Sequence, residues 1–107
     1  MKKILCLISS PPESAQITRG LALAHEWQKM GHSVQIGLLQ DGIYTGIKGS
    51  AIIEDNALPG AEWFVLADDL ELRGFSAQDL RTGVRTIDYP NLIKIMMEDA
   101  DQVLGAF

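Results

Sequence analysis

The chain sets short strand-like runs between longer helix-patterned segments, and that alternation leaves few folds open to it. Ile4 to Ile8 is a continuous apolar run, too short for a helix. It lacks the every-second-residue alternation of a strand with one wet face, so it is predicted to be covered on both sides. Val34 to Leu39, Trp63 to Ala67, Val84 to Ile87 and Gln102 to Phe107 read as four further strands. After the first run, Pro12 pushes Pro11 towards an extended conformation, so a helix is predicted to start between Pro12 and Ser14. Ile17, Leu21, Ala24 and Gln28 or Trp27 share one face, Leu23, Trp27 and Met30 widen the stripe, and Gly31 ends it as a left-handed cap. The stripe is broader than packing on one sheet requires, which points to a second partner surface. Asp88 and Pro90 open another helix, running through Met97. Strands alternating with helices predict one three-layer α/β/α domain over residues 1–107, with a mainly parallel five-stranded sheet and right-handed crossovers.

Two segments fit this frame less cleanly. Ile43 to Ala57 is weakly helical, and Gly46 and Gly49 each cost up to ~1 kcal/mol in a helix interior. Ser76-Ala77-Gln78-Asp79 has the spacing of a capping box and predicts a short helix closed by Gly83.

Charge and cysteine content narrow the functional classes. A net charge of −5, with nine scattered Lys and Arg, argues against a nucleic-acid surface. No apolar run approaches the ~20 residues of a membrane span. The start, Met1-Lys2-Lys3 and then Ile4 to Ile8, has too short an apolar segment for a signal peptide and reads as a first strand. One cysteine excludes an internal disulfide and suits a reducing cytoplasm.

The chemically loaded stretch is Glu62 to Pro90. Its strand stops at Asp68-Asp69, two acids that must surface, and Arg73-Gly74 follows within reach of them. In an open α/β sheet, function sits where strands hand over to loops at their carboxyl ends, so this loop is the candidate site. Arg73 is predicted to organise it by pairing with the acids. Adjacent acids on a turn point apart, so capping and ion pairing with Arg73 or Arg85 suit them better than acid–base catalysis. Glycine-rich phosphate loops, CxxC, HExxH and GxSxG motifs are absent, and no cofactor or metal site is predicted. His25 and His32 flank a helix end without a second ligand at useful spacing. Cys6 lies mid-strand, where burial raises a thiol's pKa and blocks access, so it is predicted to be structural.

Three stretches together resemble the DsrE/DsrF/DsrH family, most closely its DsrH/TusB branch. They are Gln40-Asp41-Gly42-Ile43-Tyr44, Val65 through Phe75, and Val84 through Tyr89. Ser10-Pro11-Pro12 and the helix end at Lys29-Met30-Gly31-His32 are more similar to the DsrE branch. The resemblance implies a small α/β subunit that forms homo-oligomers, or hetero-oligomers with other DsrE-family subunits. It implies a cytoplasmic sulfur relay serving tRNA 2-thiolation or sulfur oxidation, with a sulfur-carrier protein as a further partner. It directs attention to Asp41, Gly42, Tyr44, Asp68, Asp69 and Arg73 as binding residues. Active DsrE-type members carry a persulfide-forming cysteine just after the third strand, near Leu66 to Asp68 here, and this sequence has none there. The resulting expectation is a non-catalytic subunit or binding module. The alternatives are a sulfurtransferase using Cys6, which needs an exposed strand end, and a small-ligand regulatory protein on the same scaffold.

Overall fold

The first apolar run becomes β1 (Lys3–Ile8), and its position explains why it lacks alternation. In the computed structural model, which describes residues 1–49 and 58–105, β1 lies between β2 (Ser33–Leu38) and β5 (Gln102–Leu104). With β3 (Glu62–Leu66) and β4 (Val84–Ile87) they form a five-stranded sheet in the order β4-β3-β2-β1-β5. Every neighbouring pair is parallel, and the register runs Cys6 to Ile36 on one side and Cys6 to Leu104 on the other. This is the α/β fold that strand–helix alternation predicts.

Helix α1 (Ala15–Lys29) covers one face. Ser14 caps it through its side chain on the Gln16 N–H, and Gly31 follows at φ +90°, a backbone conformation that glycine takes without strain. Ile17, Leu21 and Ala24 of α1 pack on Cys6, Ile8, Ile36, Leu38 and Val65. The wider part of the stripe divides. Trp27 packs on the edge of this core, while Leu23 and Met30 are exposed.

The opposite face is thinner. The path from β4 to β5 reverses the direction of strand addition, and a right-handed crossover then places its helix on the other side of the sheet. That helix is α3 (Tyr89–Lys94), capped by Asp88 with Pro90 in its first turn, and it runs into a π turn at Ile95–Asp99. Leu92 packs there on Leu5 and Leu66.

Four local expectations are corrected. Gln40–Gly46 is a 3-10 segment, and Ile47 then bridges to Leu80, so no helix begins at Ile43. Residues 50–57, the rest of that expected helix, lie outside the described residues. The capping box at Ser76 is real, with the Ser76 N–H on Asp79 Oδ2 at 2.8 Å, but it opens only a three-residue 3-10 turn, Ala77–Asp79. Asp68 and Asp69 do not lie in a loop. They sit in the first turn of α2 (Ala67–Leu72), where the helix dipole favours carboxylates. The fifth strand is shorter than expected, ending at Leu104, with residues 106 and 107 outside the described range.

Candidate functional site

The parallel sheet brings the carboxyl ends of β1, β2 and β3 to one edge. From β2 the chain enters the 3-10 segment, and from β3 it enters α2. Leu39 donates its N–H to the Ile8 carbonyl at 2.9 Å, fastening the exit of β2 to the end of β1. Gly42 then passes so close that a Cβ there would lie 2.2 Å from that same carbonyl oxygen. Glycine is required at this point by contact rather than by backbone angle.

Gln40 takes a positive φ of 50°, unusual for a residue with a side chain. Its N–H donates to Asp69 Oδ2 at 2.7 Å, so a carboxylate on α2 holds a strained turn of the neighbouring loop. Arg73, at the end of α2, joins the two segments. Its Nε and Nη2 both donate to Asp41 Oδ1, at 3.2 and 3.1 Å, and its Nη1 donates to the Asp69 carbonyl at 3.2 Å. The Asp69 carboxylate is 3.9 Å from Nη1. Arg73 is mostly covered, at 22% side-chain exposure, and Asp69 at 17%, whereas Asp41 is open at 56%. Tyr44 meets Phe75 edge-on, with ring centroids 5.8 Å apart.

The predicted organising role of Arg73 therefore has a different principal partner, since Asp41, 32 positions earlier, takes the side-chain contact expected of the Asp68-Asp69 pair. Asp41, Gly42, Tyr44, Asp69 and Arg73 come together at this edge. Asp68 does not: it is exposed and makes no hydrogen bond or ion pair among the described residues. Adjacent positions on a helix are about 100° apart, so only one of the two acids faces the loop. The pairing of Arg73 with Asp41 is written in the fold, not in local spacing, and no short-range signal reveals it.

No cluster of three metal-ligating side chains occurs among the described residues. Cys6 is fully buried, and burial pushes its pKa from 9.0 up to about 12. No helix among the described residues is long and apolar enough to cross a membrane. Sequence reasoning missed a cleft of about 540 Å³ on the thin face, between α3 and the β3–β4 pair.

A family model described as DsrH-like protein matches residues 9–102. The chain belongs to the DsrH-like family. Among solved structures, the protein of unknown function MTH1491 from Methanobacterium thermoautotrophicum superposes with a TM-score of 0.84 at 10% identity, covering 99% of this chain and 100% of that one. The ychN protein from E. coli gives 0.79 at 21% identity, again over 99% and 100% of the two chains. Protein Tm0979 from Thermotoga maritima gives 0.60 at 19% identity, over 87% and 90%. At these identities the likeness is one of fold. No curated protein matches the sequence.

In this DsrH-like chain the geometry at Arg73 makes a direct expectation. A lysine has no planar fork and cannot reach the Asp41 carboxylate and the Asp69 carbonyl together. Because Asp41 is exposed, Arg73→Lys is expected to cost only about 1 kcal/mol of stability. Thermal melting beside a titration with any assembled partner checks this. A large stability loss equal to the binding loss would make Arg73 a purely structural tie.

Proposed function

We propose that this DsrH-like chain is a non-catalytic subunit, or binding module, of a sulfur-relay-type assembly. It works as a homo-oligomer, or a hetero-oligomer with other DsrE-family subunits, in the cytoplasm. The observation that carries the reading is the state of the one cysteine. A persulfide carrier needs a thiolate that a donor can reach, because the thiolate attacks the donor's sulfur. Cys6 has 0% exposure, lies between two paired strands, and has a pKa raised to about 12 by burial. At neutral pH on the order of one molecule in 10⁵ would carry the thiolate, and that one would face no solvent.

In this reading the chain contributes surface. The Asp41–Arg73–Asp69 hub holds the exits of β2 and β3 in one arrangement, with Asp41 and Tyr44 open to a partner. Exposed Leu23 and Met30 on α1 offer apolar area for a second subunit. The sulfurtransferase alternative requires Cys6 at an exposed strand end, and no feature of β1 favours it.

The test is incubation with a cysteine desulfurase and cysteine, followed by intact-mass measurement. No +32 Da adduct on Cys6 is expected, and native mass spectrometry is expected to show a defined oligomer, alone or with co-expressed family subunits. A persulfide on Cys6 would overturn the non-catalytic reading. A monomer that co-expressed subunits leave unchanged would overturn the assembly.

A further inference from the structure

The cleft between α3 and the β3–β4 pair lies on the face opposite α1, away from the Asp41–Arg73 hub. Its volume of about 540 Å³ falls in the range of small-molecule sites. Its apolar lining comes from Phe64, Ile87 and Ile95, and its charges come from two walls. On β4, the Arg85 guanidinium lies 4.7 Å from the centroid of the Phe64 ring and bonds Glu62 through Nη2 at 2.8 Å. On the helical wall, Lys94 and Asp99 face the same space.

The last pairing depends on the π turn. In an α-helix, the residue four after Lys94 shares its face, and that residue is Glu98. The wider turn closes with the Ala100 N–H on the Ile95 carbonyl at 2.8 Å, and it brings Asp99 to the cleft instead. Glu98 does not line it. Lys94 and Asp99 are exposed, and neither makes a hydrogen bond or ion pair among the described residues. Two unpaired charges of opposite sign therefore share one cleft without meeting. Asp88 also lines it, but its Oδ1 is engaged by the Asn91 backbone and side-chain N–H groups at 2.9 and 2.7 Å.

We infer that this cleft binds a small zwitterion of the free α-amino acid class. A ligand carboxylate would take Lys94 and the open N–H groups of Arg85. A ligand ammonium would take Asp99, and an aliphatic side chain would lie on the apolar lining. A simple anion fits less well, because two carboxylates line the cleft beside the two cations. The inference stands independently of the assembly reading and of Cys6.

The experiment is a ¹⁵N-labelled NMR titration of the native chain with L-leucine, with N-acetyl-leucine and leucinamide as probes that each lack one charge. Saturable shifts confined to the amides around Thr86, Asn91, Lys94 and Asp99 are expected with L-leucine. Each single-charge probe and each of Lys94→Gln and Asp99→Asn is expected to weaken binding by about tenfold or more, the effect of one lost charge-assisted hydrogen bond. Glu98→Gln is expected to leave it unchanged. Both lining positions are exposed, and a melting curve for each variant confirms that the fold is retained. Absence of saturable shifts at 10 mM probe (about −2.7 kcal/mol as a binding limit) would overturn the site. Equal binding of N-acetyl-leucine would overturn the zwitterion assignment, and shifts centred elsewhere would overturn the location.

Discussion

Gly42→Ala is expected to lower stability by about 3 kcal/mol or more, at the upper end of what overpacking does. An added Cβ would sit 2.2 Å from the Ile8 oxygen and 2.9 Å from the Ile8 carbonyl carbon. Those are backbone atoms, so no rotamer change relieves the clash. The carbonyl cannot swing aside freely either, because it accepts the Leu39 N–H and so ties β2 to β1. For a domain of this size the loss corresponds to a fall in Tm of roughly 12 °C or more. Gly31→Ala supplies the contrast. At φ +90° with nothing within 4 Å of the added carbon, it carries backbone strain alone, about 1–2 kcal/mol. Urea denaturation of both variants separates the effects. A Gly42→Ala loss no larger than that of Gly31→Ala would show that the loop shifts easily and that the close approach is not a constraint.

Alkaline titration should show the burial of Cys6 directly. Its pKa is raised from 9.0 to about 12, so the native chain holds the thiol proton where the unfolded chain releases it. Between those values the unfolded state binds fewer protons, and stability falls as pH rises. The contribution is complete below pH 9 and is lost progressively towards pH 12. At about 1.36 kcal/mol per pH unit the total is on the order of 4 kcal/mol. Other groups titrate in this range, so the informative quantity is the difference from Cys6→Ala. That variant is expected to lose about 1–2 kcal/mol of packing at neutral pH. Lacking the titration, it should then decline less steeply, and the two stability curves should cross near pH 10. Parallel curves would mean that the Cys6 thiol titrates alike in the folded and unfolded chains.

The sheet was legible because each strand carries its own signal. Ile4 to Ile8 reads as doubly covered, and β1 is an interior strand with packed residues on both faces. Pro11-Pro12 and Gly31 marked the ends of α1 through local chemistry alone, and the helix starts at Ala15, just past the expected range, with Ser14 as its cap. Expectation failed where the deciding contact is distant in sequence. Gly46 reads as a diluent in a weak helix, yet a Cβ there would crowd Val65, Leu38 and Val84, so the glycine serves the packing of the 3-10 segment on the sheet. The acids at Asp68 and Asp69 look like the end of order, but they open a helix. Their separation into one exposed and one engaged residue follows from helical geometry. At the candidate site, the strand-end stretch supplied Asp69 and Arg73 and the family resemblance supplied Asp41, while only the parallel register decides which acid the arginine meets. The cleft was illegible for a related reason. A π turn changes which residues share a face, and the helical period that sequence reading relies on then names Glu98 in place of Asp99.

The pairing of β5 with β1 has a kinetic side. Asp101 and Lys3 exchange hydrogen bonds in both directions, closing a loop of 98 positions. Contacts of such long range form late, because most of the chain must already be compact before the loop closes at tolerable entropic cost. The strand that follows Asp101 is three residues long, so it is also the seam with the least to hold it shut. Until it docks, the edge of β1 is an unpaired ladder next to some of the most apolar residues in the chain, a template for any other strand. In the folded chain that edge is closed by three residues alone, so β5 is what keeps β1 from presenting an open side to another strand.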